Sequence, residues 1–345
     1  MLKILYQMCA NTLTNILFAC IFETLMKSIN FVIVGDDYQI AAELGKKGTS
    51  TDLSIYDRKT HDAIYTWAVP ITFPDKIQSL MQAVNIAEYA ILNVTKIDKY
   101  LGEQILALDA TNMTEGFILH SYEVDEIELK KLIKSTAASN YKFLANVDQL
   151  KQEIGKLEPK TVDGTRECVI QIDHTFNVKG VGTVLLGIIK QGTVKTYDQL
   201  KILPSGKEVL VKSIQMHDDP VNESKSPARV GLAVKGVDAD DISRGDMLCS
   251  PDSSSIKIAT NPIFPGFIKN PYYKGNLTDN QTYIISLGAQ IKPVKIKNSA
   301  TTTNNNNTVE IIPEKPFVYF LGQPYALLKP DNDGTRIIGK GTMMQ

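Results

Sequence analysis

The turn after the first apolar run of this chain, residues 29–35, is where its residues could bind a phosphate group. A phosphate-binding loop there reads G-x-x-x-x-G-K-[ST]: backbone N–H groups cradle the phosphates, the lysine meets the β and γ oxygens, and the hydroxyl group holds Mg²⁺. In this chain Gly35 is followed by Asp36 and Asp37, and no lysine stands at the required spacing. Two acidic residues therefore stand where phosphate would lie, and the sequence argues against nucleotide hydrolysis.

The two other segments that a GTP-hydrolysing domain needs are also missing. Residues 73–76 read F-P-D-K where D-x-x-G would sense the γ-phosphate, and residues 120–123 read H-S-Y-E where N-K-x-D would read guanine. One alternative stays open, because residues 45–50 read G-K-K-G-T-S, ten residues later than expected. If they formed an unorthodox phosphate loop, the chain would bind GTP and Mg²⁺. No serine, cysteine or metal hydrolase constellation is recognisable.

The wide spacing of the cysteines and histidines predicts no metal site. Cys9, Cys20, Cys168 and Cys249 include no C-x-x-C pair, and the four histidines include no H-x-x-x-H. Structural zinc sites usually combine such closely spaced ligands. We therefore expect the cysteines to be reduced, small hydrophobic residues of a cytoplasmic protein.

The charge of the 345 residues is balanced overall but uneven along the chain. The 37 Lys and Arg face 38 Asp and Glu, a formal net charge of −1, which excludes a polycation that coats nucleic acid, and no DNA partner is expected. From residue 254 to the end, ten Lys and Arg face five Asp and Glu. This local excess predicts either an anionic partner for the C-terminal part or a solvated surface with no partner.

Residues 1–25 are apolar in patches and allow three interpretations. They are an extension before a misplaced start, with Met26 as the true first residue, or an amphipathic appendage, or a membrane signal. A transmembrane helix is a weak candidate, because polar residues interrupt the span of about 20 apolar residues that it requires. Since nothing later in the sequence spans a membrane, no membrane partner is expected.

Strands and helices alternate between residues 29 and 157, which is typical of a mostly parallel sheet flanked by helices. Apolar residues recur at i, i+3, i+4 and i+7 from Ile77, so we expect a helix there with Asp75 as its cap. Asp98 is expected to cap a second helix, and residues 125–134 predict a third.

From Glu167 onward the chain consists of short alternating runs broken by Gly, Pro, Asn and Asp, which predicts β-barrels or sandwiches. Residues 253–261 are expected to be a hinge between two such β modules. The run at residues 298–308, rich in Thr and Asn, is expected to be a loop between strands, because it cannot pack a core.

Glycines and one charged turn predict where the strands of the first β module bend or reverse. Gly180 and Gly182 are expected to permit a bulge or a close approach in a curved strand. Gly187 and Gly192 are expected to bracket a tight reversal, and residues 244–246, R-G-D, to form a turn between strands of a small closed barrel.

Residues 173–187, D-H-T-F-N-V-K-G-V-G-T-V-L-L-G, closely resemble the opening hairpin of the second domain of Tu-type translation elongation factors, especially the selenocysteine-specific branch. The match continues in register over residues 192–195, 203–204, 213–217, 230–237 and 244–248.

The remaining parts of the chain resemble the same family more distantly. The first part is similar to a decayed form of the family's GTPase domain, in which Gly35 keeps the phosphate-loop position and Asp75 the switch position. The last part resembles the family's final barrel through residues 310–319 and 336–341. The resemblance thus covers roughly residues 28 to 345.

The fold that this resemblance implies is a degenerate α/β GTPase-like domain followed by two β-barrels of the elongation factor Tu type. The expected boundaries are 1–27 for the extension or misplaced start, 28–158 for the GTPase-like domain, 163–252 for the first barrel, and 254–345 for the second barrel with its loop at 298–308.

The resemblance also implies candidate aminoacyl-binding and RNA-binding residues. Asp173, His174 and Arg229 match the aminoacyl pocket of selenocysteine-specific factors, where Arg and His stabilise an anion and Asp orients the amino group or the imidazole. His217 stands where ordinary Tu-type factors have a pocket histidine, and Lys179 is a candidate contact to RNA phosphate. The alternative is structural: Asp173 and His174 pair with each other, and Arg229 and Lys179 are surface residues.

The function implied by the resemblance is that of a translation protein without catalysis or cofactor. It would be a non-hydrolysing paralogue that binds tRNA or the ribosome through its two barrels. Two alternatives remain: an active GTP-binding factor that delivers aminoacyl-tRNA, and a scaffold that binds a protein partner through the former GTPase surface.

Overall fold

The computed structural model of the chain describes residues 26–160, 167–297 and 309–344. The predictions for residues 1–25, which include Cys9 and Cys20, and for the run at 298–308 lie outside the described residues. No helix in the described ranges is long and apolar enough to cross a membrane.

A seven-stranded sheet forms the centre of the first part of the chain, called here the α/β domain (residues 27–154). Its strands are β1 Lys27–Gly35, β2 Lys46–Ser50, β3 Ser54–Lys59, β4 Ala63–Val69, β5 Tyr89–Val94, β6 Gly116–His120 and β7 Lys142–Phe143. Its helices are α1 Ile40–Leu44, α2 Ile77–Asn85, α3 Lys99–Ala110, α4 Glu126–Ile133 and α5 Val147–Ile154. The strand order is β2-β3-β4-β1-β5-β6-β7; β3 is antiparallel to both its neighbours, and the other adjacent pairs are parallel.

The strand β1 lies in the middle of this sheet, so all its residues after Lys27 are buried. This explains its unbroken apolar run, which is typical of a parallel strand covered on both faces. On one face Phe31 stacks on Trp67, with ring centroids 5.9 Å apart. On the other face Val32 packs in the same core as Leu80 of α2. The predicted parallel sheet flanked by helices is confirmed.

One of the two predicted side-chain caps is confirmed, because Asp98 accepts hydrogen bonds from the backbone of α3. The helix predicted at residues 125–134 is also present as α4, and Asp125 caps it in the same way. The prediction for Asp75 was wrong, because α2 has Lys76 at its N-cap and no side-chain cap bond. Asp75 stands one residue too early, and the backbone N–H of Lys76 donates instead to the carbonyl of Thr72 at 2.9 Å.

Nine strands follow, called here the first barrel (residues 169–249), and six of them close into a barrel. Its strands are β8 Val169–Val178, β9 Gly182–Gln191, β10 Thr193–Lys195, β11 Gln199–Leu203, β12 Lys207–Met216, β13 Asp219–Val221, β14 Glu223–Lys225, β15 Arg229–Lys235 and β16 Met247–Cys249. The sheet order is β11-β16-β8-β9-β15-β12-β13, and β11 also pairs with β12, which closes the barrel. The predicted barrel is confirmed. Cys249 in β16 and Cys168, directly before β8, are buried free thiols.

Three of the glycines in the first barrel act differently from the prediction. Gly180 and Gly182, with φ of +82° and +100°, form the turn of the β8–β9 hairpin, and a Cβ on either would find nothing closer than 3.9 Å. Gly187 lies inside β9 rather than in a reversal. A Cβ there would lie 2.6 Å from the carbonyl oxygen of Gln171, so glycine is needed for this close approach. The close approach was predicted at the wrong glycine; the turn at residues 244–246 is confirmed.

A second barrel-type domain ends the chain, called here the second barrel (residues 256–342). Its strands are β17 Ile256–Ala259, β18 Gly266–Lys269, β19 Thr282–Leu287, β20 Gln290–Lys297, β21 Glu310–Pro313, β22 Phe317–Phe320, β23 Pro324–Leu328 and β24 Ile337–Thr342. Six of them form a sheet in the order β18-β24-β23-β19-β20-β21, and β17 pairs with β22. A bridge between Ile263 and Ile311 connects the segment before β18 to β21. The hinge predicted at 253–261 therefore contains the strand β17.

We predict that Gly35→Ala destabilises the α/β domain by about 2–4 kcal/mol, because a side chain there combines a left-handed backbone with a steric clash. Gly35 has φ of +119°, and a Cβ would lie 1.7 Å from the carbonyl oxygen of Asn93. Urea unfolding followed by the fluorescence of Trp67, the only tryptophan of the sequence and fully buried, measures the change.

Gly102→Ala is the matched control, because Gly102 lies inside α3 and a Cβ there would find nothing within 4 Å. This variant should be neutral or more stable by up to about 1 kcal/mol, since alanine is the better helix former. Equal stability of the two variants would contradict the close approach of β1 to β5.

Candidate functional site

The turn after β1 is held by side chains of the α/β domain itself. The Asp36 carboxylate accepts hydrogen bonds from the backbone N–H of Thr95 at 2.7 Å and from its hydroxyl at 2.5 Å. The carboxamide of Gln104 in α3 accepts from the N–H of Gly35 at 2.7 Å and donates to its carbonyl at 2.8 Å. The N–H and carbonyl groups of Gly35 and the carboxylate of Asp36 therefore have partners within the chain.

The helix that follows the turn gives little support to a phosphate group. The helix α1 has only five residues, and the Asp37 carboxylate before it accepts a hydrogen bond from the N–H of Gln39 at 2.9 Å. Residues 46–50 of the alternative phosphate loop form the edge strand β2. Asp75, the predicted switch position, lies exposed ahead of α2.

A cluster of charged side chains lies in the first barrel, with Asp173 at its centre. Asp173 is 1 % exposed and accepts a hydrogen bond at 2.8 Å from Nδ1 of His174. The Arg229 guanidinium binds both carboxylate oxygens, with Nε at 2.8 Å and Nη2 at 3.0 Å. The structure thus brings together the three residues predicted for an aminoacyl pocket.

A bulge in β8 positions the first two of these residues. Ile172 pairs with Gly187 and His174 pairs with Leu186, so Asp173 is an extra residue without a partner in β9. Bulges turn a side chain out of the regular alternation, which lets two consecutive residues serve one cluster. Arg229 reaches it from the start of β15.

The charge of Asp173 is maintained in spite of its burial. Burial opposes the charged form, but the charge of Arg229 and hydrogen bonds from His174 and Arg229 outweigh it, so the pKa of Asp173 lies well below its usual range. The Arg229–Asp173 pair is therefore an ion pair that neutralises itself inside the barrel.

Arg244 is the residue of this cluster that the sequence analysis did not identify. Its Nη1 lies 2.7 Å from each carboxylate oxygen of Asp52, and its Nε donates to the carbonyl of Asp173 at 2.9 Å. Nη1 also donates to the Gln82 carboxamide at 3.1 Å, and Nη2 lies 3.2 Å from Nε2 of His174. Since Asp52 and Gln82 belong to the α/β domain, Arg244 connects that domain to the first barrel.

The turn between β2 and β3 covers the cluster. The hydroxyl of Thr51 lies 3.1 Å from Nε2 of His174, so both nitrogens of that imidazole have partners. Arg229, His174 and Asp173 are therefore bound to one another and to the α/β domain. The turn with Thr51 and Asp52 contacts the imidazole of His174 and the guanidinium of Arg244.

The other two predicted residues lie apart from this cluster. Nε2 of His217 lies 2.8 Å from the Asp57 carboxylate of β3, and Lys59 of the same strand binds Asp219. His217 thus forms a second contact between the α/β domain and the first barrel. Lys179 is exposed at the tip of the β8–β9 hairpin. The described parts of the chain contain no group of three His, Cys, Asp or Glu placed to hold a metal ion.

We predict that Arg244→Met destabilises the protein by about 2–4 kcal/mol, because it leaves the Asp52 carboxylate without its cation between two domains. Urea unfolding at pH 7 measures the loss. The control is Lys195→Met, which breaks the exposed pair with Glu223 and should cost less than about 1 kcal/mol. A loss in Arg244→Met no larger than in the control would contradict the proposed domain contact.

A pH dependence follows from Asp52. Burial raises the pKa of Asp52, but hydrogen bonds and the charge of Arg244 lower it by a larger amount. The pKa of Asp52 in the folded protein therefore lies below the usual range. Such a group stabilises the fold above the unfolded pKa of about 4 and loses this effect as the pH falls through the folded value. The wild type should therefore have a higher free energy of unfolding than Asp52→Asn at pH 7, and this difference should shrink below pH 4. A difference that does not change with pH would contradict the ion pair.

Comparison with known proteins agrees with this architecture. The family model for elongation factor Tu domain 2 matches residues 182–249. An uncharacterized protein of Methanocaldococcus jannaschii is 31 % identical over 322 residues, which are 92 % of this chain and 100 % of that protein. The selenocysteine-specific elongation factor of the same organism is 30 % identical over 242 residues, 64 % of this chain and 51 % of the factor. The chain thus spans about half the length of that factor.

Solved structures share the fold. The elongation factor SelB of Methanococcus maripaludis in complex with the GTP analogue GppNHp has a TM-score of 0.79 at 24 % identity, over 93 % of this chain and 79 % of that one. The apo form of SelB has a TM-score of 0.74 at 25 % identity, over 93 % and 80 % of the two chains. The α/β domain with two barrels, the domain 2 match and the similarity to the selenocysteine-specific factor confirm the resemblance found in the sequence, and the chain belongs to the family of Tu-type translation elongation factors, alongside the selenocysteine-specific branch.

Proposed function

We propose that this chain is an elongation-factor-like protein that binds tRNA or the ribosome through its barrels and does not hydrolyse GTP. It acts in the cytoplasm and needs no cofactor. The observation that carries the proposal is the turn after β1, where Gln104 bonds to the N–H and the carbonyl of Gly35 and the Asp36 carboxylate accepts hydrogen bonds from Thr95.

Electrostatics support the loss of nucleotide binding. A nucleotide loop uses free N–H groups and a lysine to attract phosphate. In this turn the N–H of Gly35 donates to Gln104, and the nearest charges are the carboxylates of Asp36 and Asp37. A phosphate group would have to displace the Gln104 contact and lie beside like charge, which costs binding free energy.

The lysines of the barrels support binding to RNA. Residues 254–344 contain ten Lys and Arg against five Asp and Glu, and few of these basic residues form an ion pair within the described residues. In the first barrel, Lys179 is exposed at the hairpin tip, and the Lys212 ammonium donates to the carbonyl of Val181 in the same hairpin at 3.1 Å. Such lysines can neutralise phosphates and release counterions.

The cluster around Asp173 is the proposed site for an aminoacyl group. Asp173, His174 and Arg229 provide a carboxylate, an imidazole and a guanidinium, and His217 lies at the neighbouring domain contact. On this proposal, binding opens the contact between Arg244 and Asp52. Asp52→Ala should therefore increase the preference for aminoacylated over deacylated tRNA, measured by competition. The absence of any preference, in the wild type and in the variant, would assign a structural role to the cluster.

We predict salt-sensitive binding of tRNA to the full chain, measured by fluorescence anisotropy between low and physiological salt. The logarithm of the binding constant should fall linearly with the logarithm of the salt concentration, and Lys179→Ala should reduce the slope by about 1.

The matched control is Lys131→Ala, which removes an exposed lysine of α4 in the α/β domain and should leave the slope unchanged. Equal slopes for the wild type and Lys179→Ala would exclude this hairpin from the RNA interface. No binding at low salt, together with capture of a protein partner by the α/β domain, would favour the scaffold function instead.

A further inference from the structure

A cavity of about 610 Å³ lies where the α/β domain and the two barrels meet. Its walls come from the end of α2 at Asn85, from β8 and β9 at Gln171 and Lys190, and from the second barrel at Lys257 and Gln323. The ends of α2 and α3 lie at the amino edge of the parallel sheet, whereas the turn at Gly35 lies at the carboxyl edge. The cavity is therefore separate from the former nucleotide position.

The charged residues of this cavity are all basic. Lys190 and Lys257 line it, and none of the described residues that line it is Asp or Glu. Glu167 does not line the cavity, but its carboxylate accepts hydrogen bonds from Ser253 and from the lining residues Ser254 and Ser255. The two lysines are the charged groups of the wall itself, and they favour an anion there.

Lys190 is a partly buried cation, and few groups around it compensate its charge. Its ammonium donates one hydrogen bond, to the carbonyl of Asn85 at 3.1 Å, and forms no ion pair with a described residue. Burial lowers the pKa of Lys190, and the charge of Glu88 opposes this only in part. Glu88 itself accepts hydrogen bonds from Asn30 and from the N–H of Lys160. A cation in such a place is stabilised by an anion that takes its remaining donors.

Carboxamide groups stand beside the lysines. Gln171 is 2 % exposed, and its Nε2 has no hydrogen-bond partner in the described part of the chain. Gly288 forms the wall next to it with φ of +56°, and a Cβ there would lie 2.6 Å from Oε1 of Gln171 and 3.2 Å from Nε2 of Gln323. The glycine therefore leaves room beside two amides that can bind hydroxyl groups.

We propose that this cavity binds a small phosphorylated polyol, such as a sugar phosphate, with its phosphate between Lys190 and Lys257 and its hydroxyl groups on the glutamine amides. Two lysines match the double charge of a phosphate monoester, and the volume falls within the range of small-molecule sites, roughly 300–1,000 Å³. Because all three domains contribute to the wall, the ligand would hold them in one arrangement, and binding would stabilise the folded chain.

The test is a calorimetric titration of the full chain with glucose 6-phosphate and with inorganic phosphate, and with glucose at matched ionic strength as the uncharged probe. We expect glucose 6-phosphate to bind more tightly than phosphate and glucose not to bind. Lys190→Met and Lys257→Met should each weaken binding about tenfold or more, because each removes a charged contact to the phosphate. A rise in Tm on adding glucose 6-phosphate should accompany binding and vanish in both variants.

Lys295→Met is the matched control, since Lys295 is an exposed lysine of β20 outside the cavity wall. Lys257 is itself exposed, so Lys257→Met reports on binding even if Lys190→Met impairs folding. The proposal is overturned if neither phosphate probe binds the wild type, or if Lys257→Met binds glucose 6-phosphate as tightly as Lys295→Met. Equal binding of glucose and glucose 6-phosphate would also overturn it.

Discussion

The guanidinium group of Arg244 joins the α/β domain to the first barrel through several hydrogen bonds at once. It binds the Asp52 carboxylate and the Gln82 carboxamide on one side and the carbonyl of Asp173 on the other. Because the carboxylate of Asp173 is in turn paired with Arg229, one continuous set of hydrogen bonds, which includes two ion pairs, runs from the surface turn of the α/β domain into the barrel interior. A buried ion pair needs such complete satisfaction, since each charge loses its water. The same contacts that join the domains therefore also cover the candidate aminoacyl pocket.

In the turn after β1, hydrogen bonds from within the chain hold Gly35 and Asp36. The backbone of this turn needs hydrogen-bond acceptors and donors there, and Gln104 provides both to Gly35. Asp36 bonds to Thr95 at the end of β5, so the carboxyl edge of the sheet is held by its own residues. This self-sufficiency underlies the proposal that the chain keeps the architecture of a Tu-type factor while its interactions with other molecules have moved to the barrels and to the junction of the three domains.

The sequence predicted the architecture well because its patterns are local. Apolar periodicity located the helices and strands, Asp98 and Asp125 marked two helix starts, and the segment at 173–187 identified the first barrel. It also named Asp173, His174 and Arg229 together. It could not identify Arg244, because that residue stands in an ordinary R-G-D turn and meets Asp52, which is 192 residues away in the chain. The cavity at the junction of the three domains could not be predicted from the sequence for the same reason. Its walls come from segments that only the arrangement of the domains brings together.

The claim that the turn after β1 has replaced a nucleotide site is tested most directly by calorimetric titration of GTP and of GDP, each with Mg²⁺, into the full chain. We predict no heat of binding up to millimolar nucleotide. The variant Gln104→Ala, which removes the partner of Gly35, should also fail to bind. Micromolar binding of either nucleotide to the wild type would contradict this prediction and identify the chain as an active GTP-binding factor.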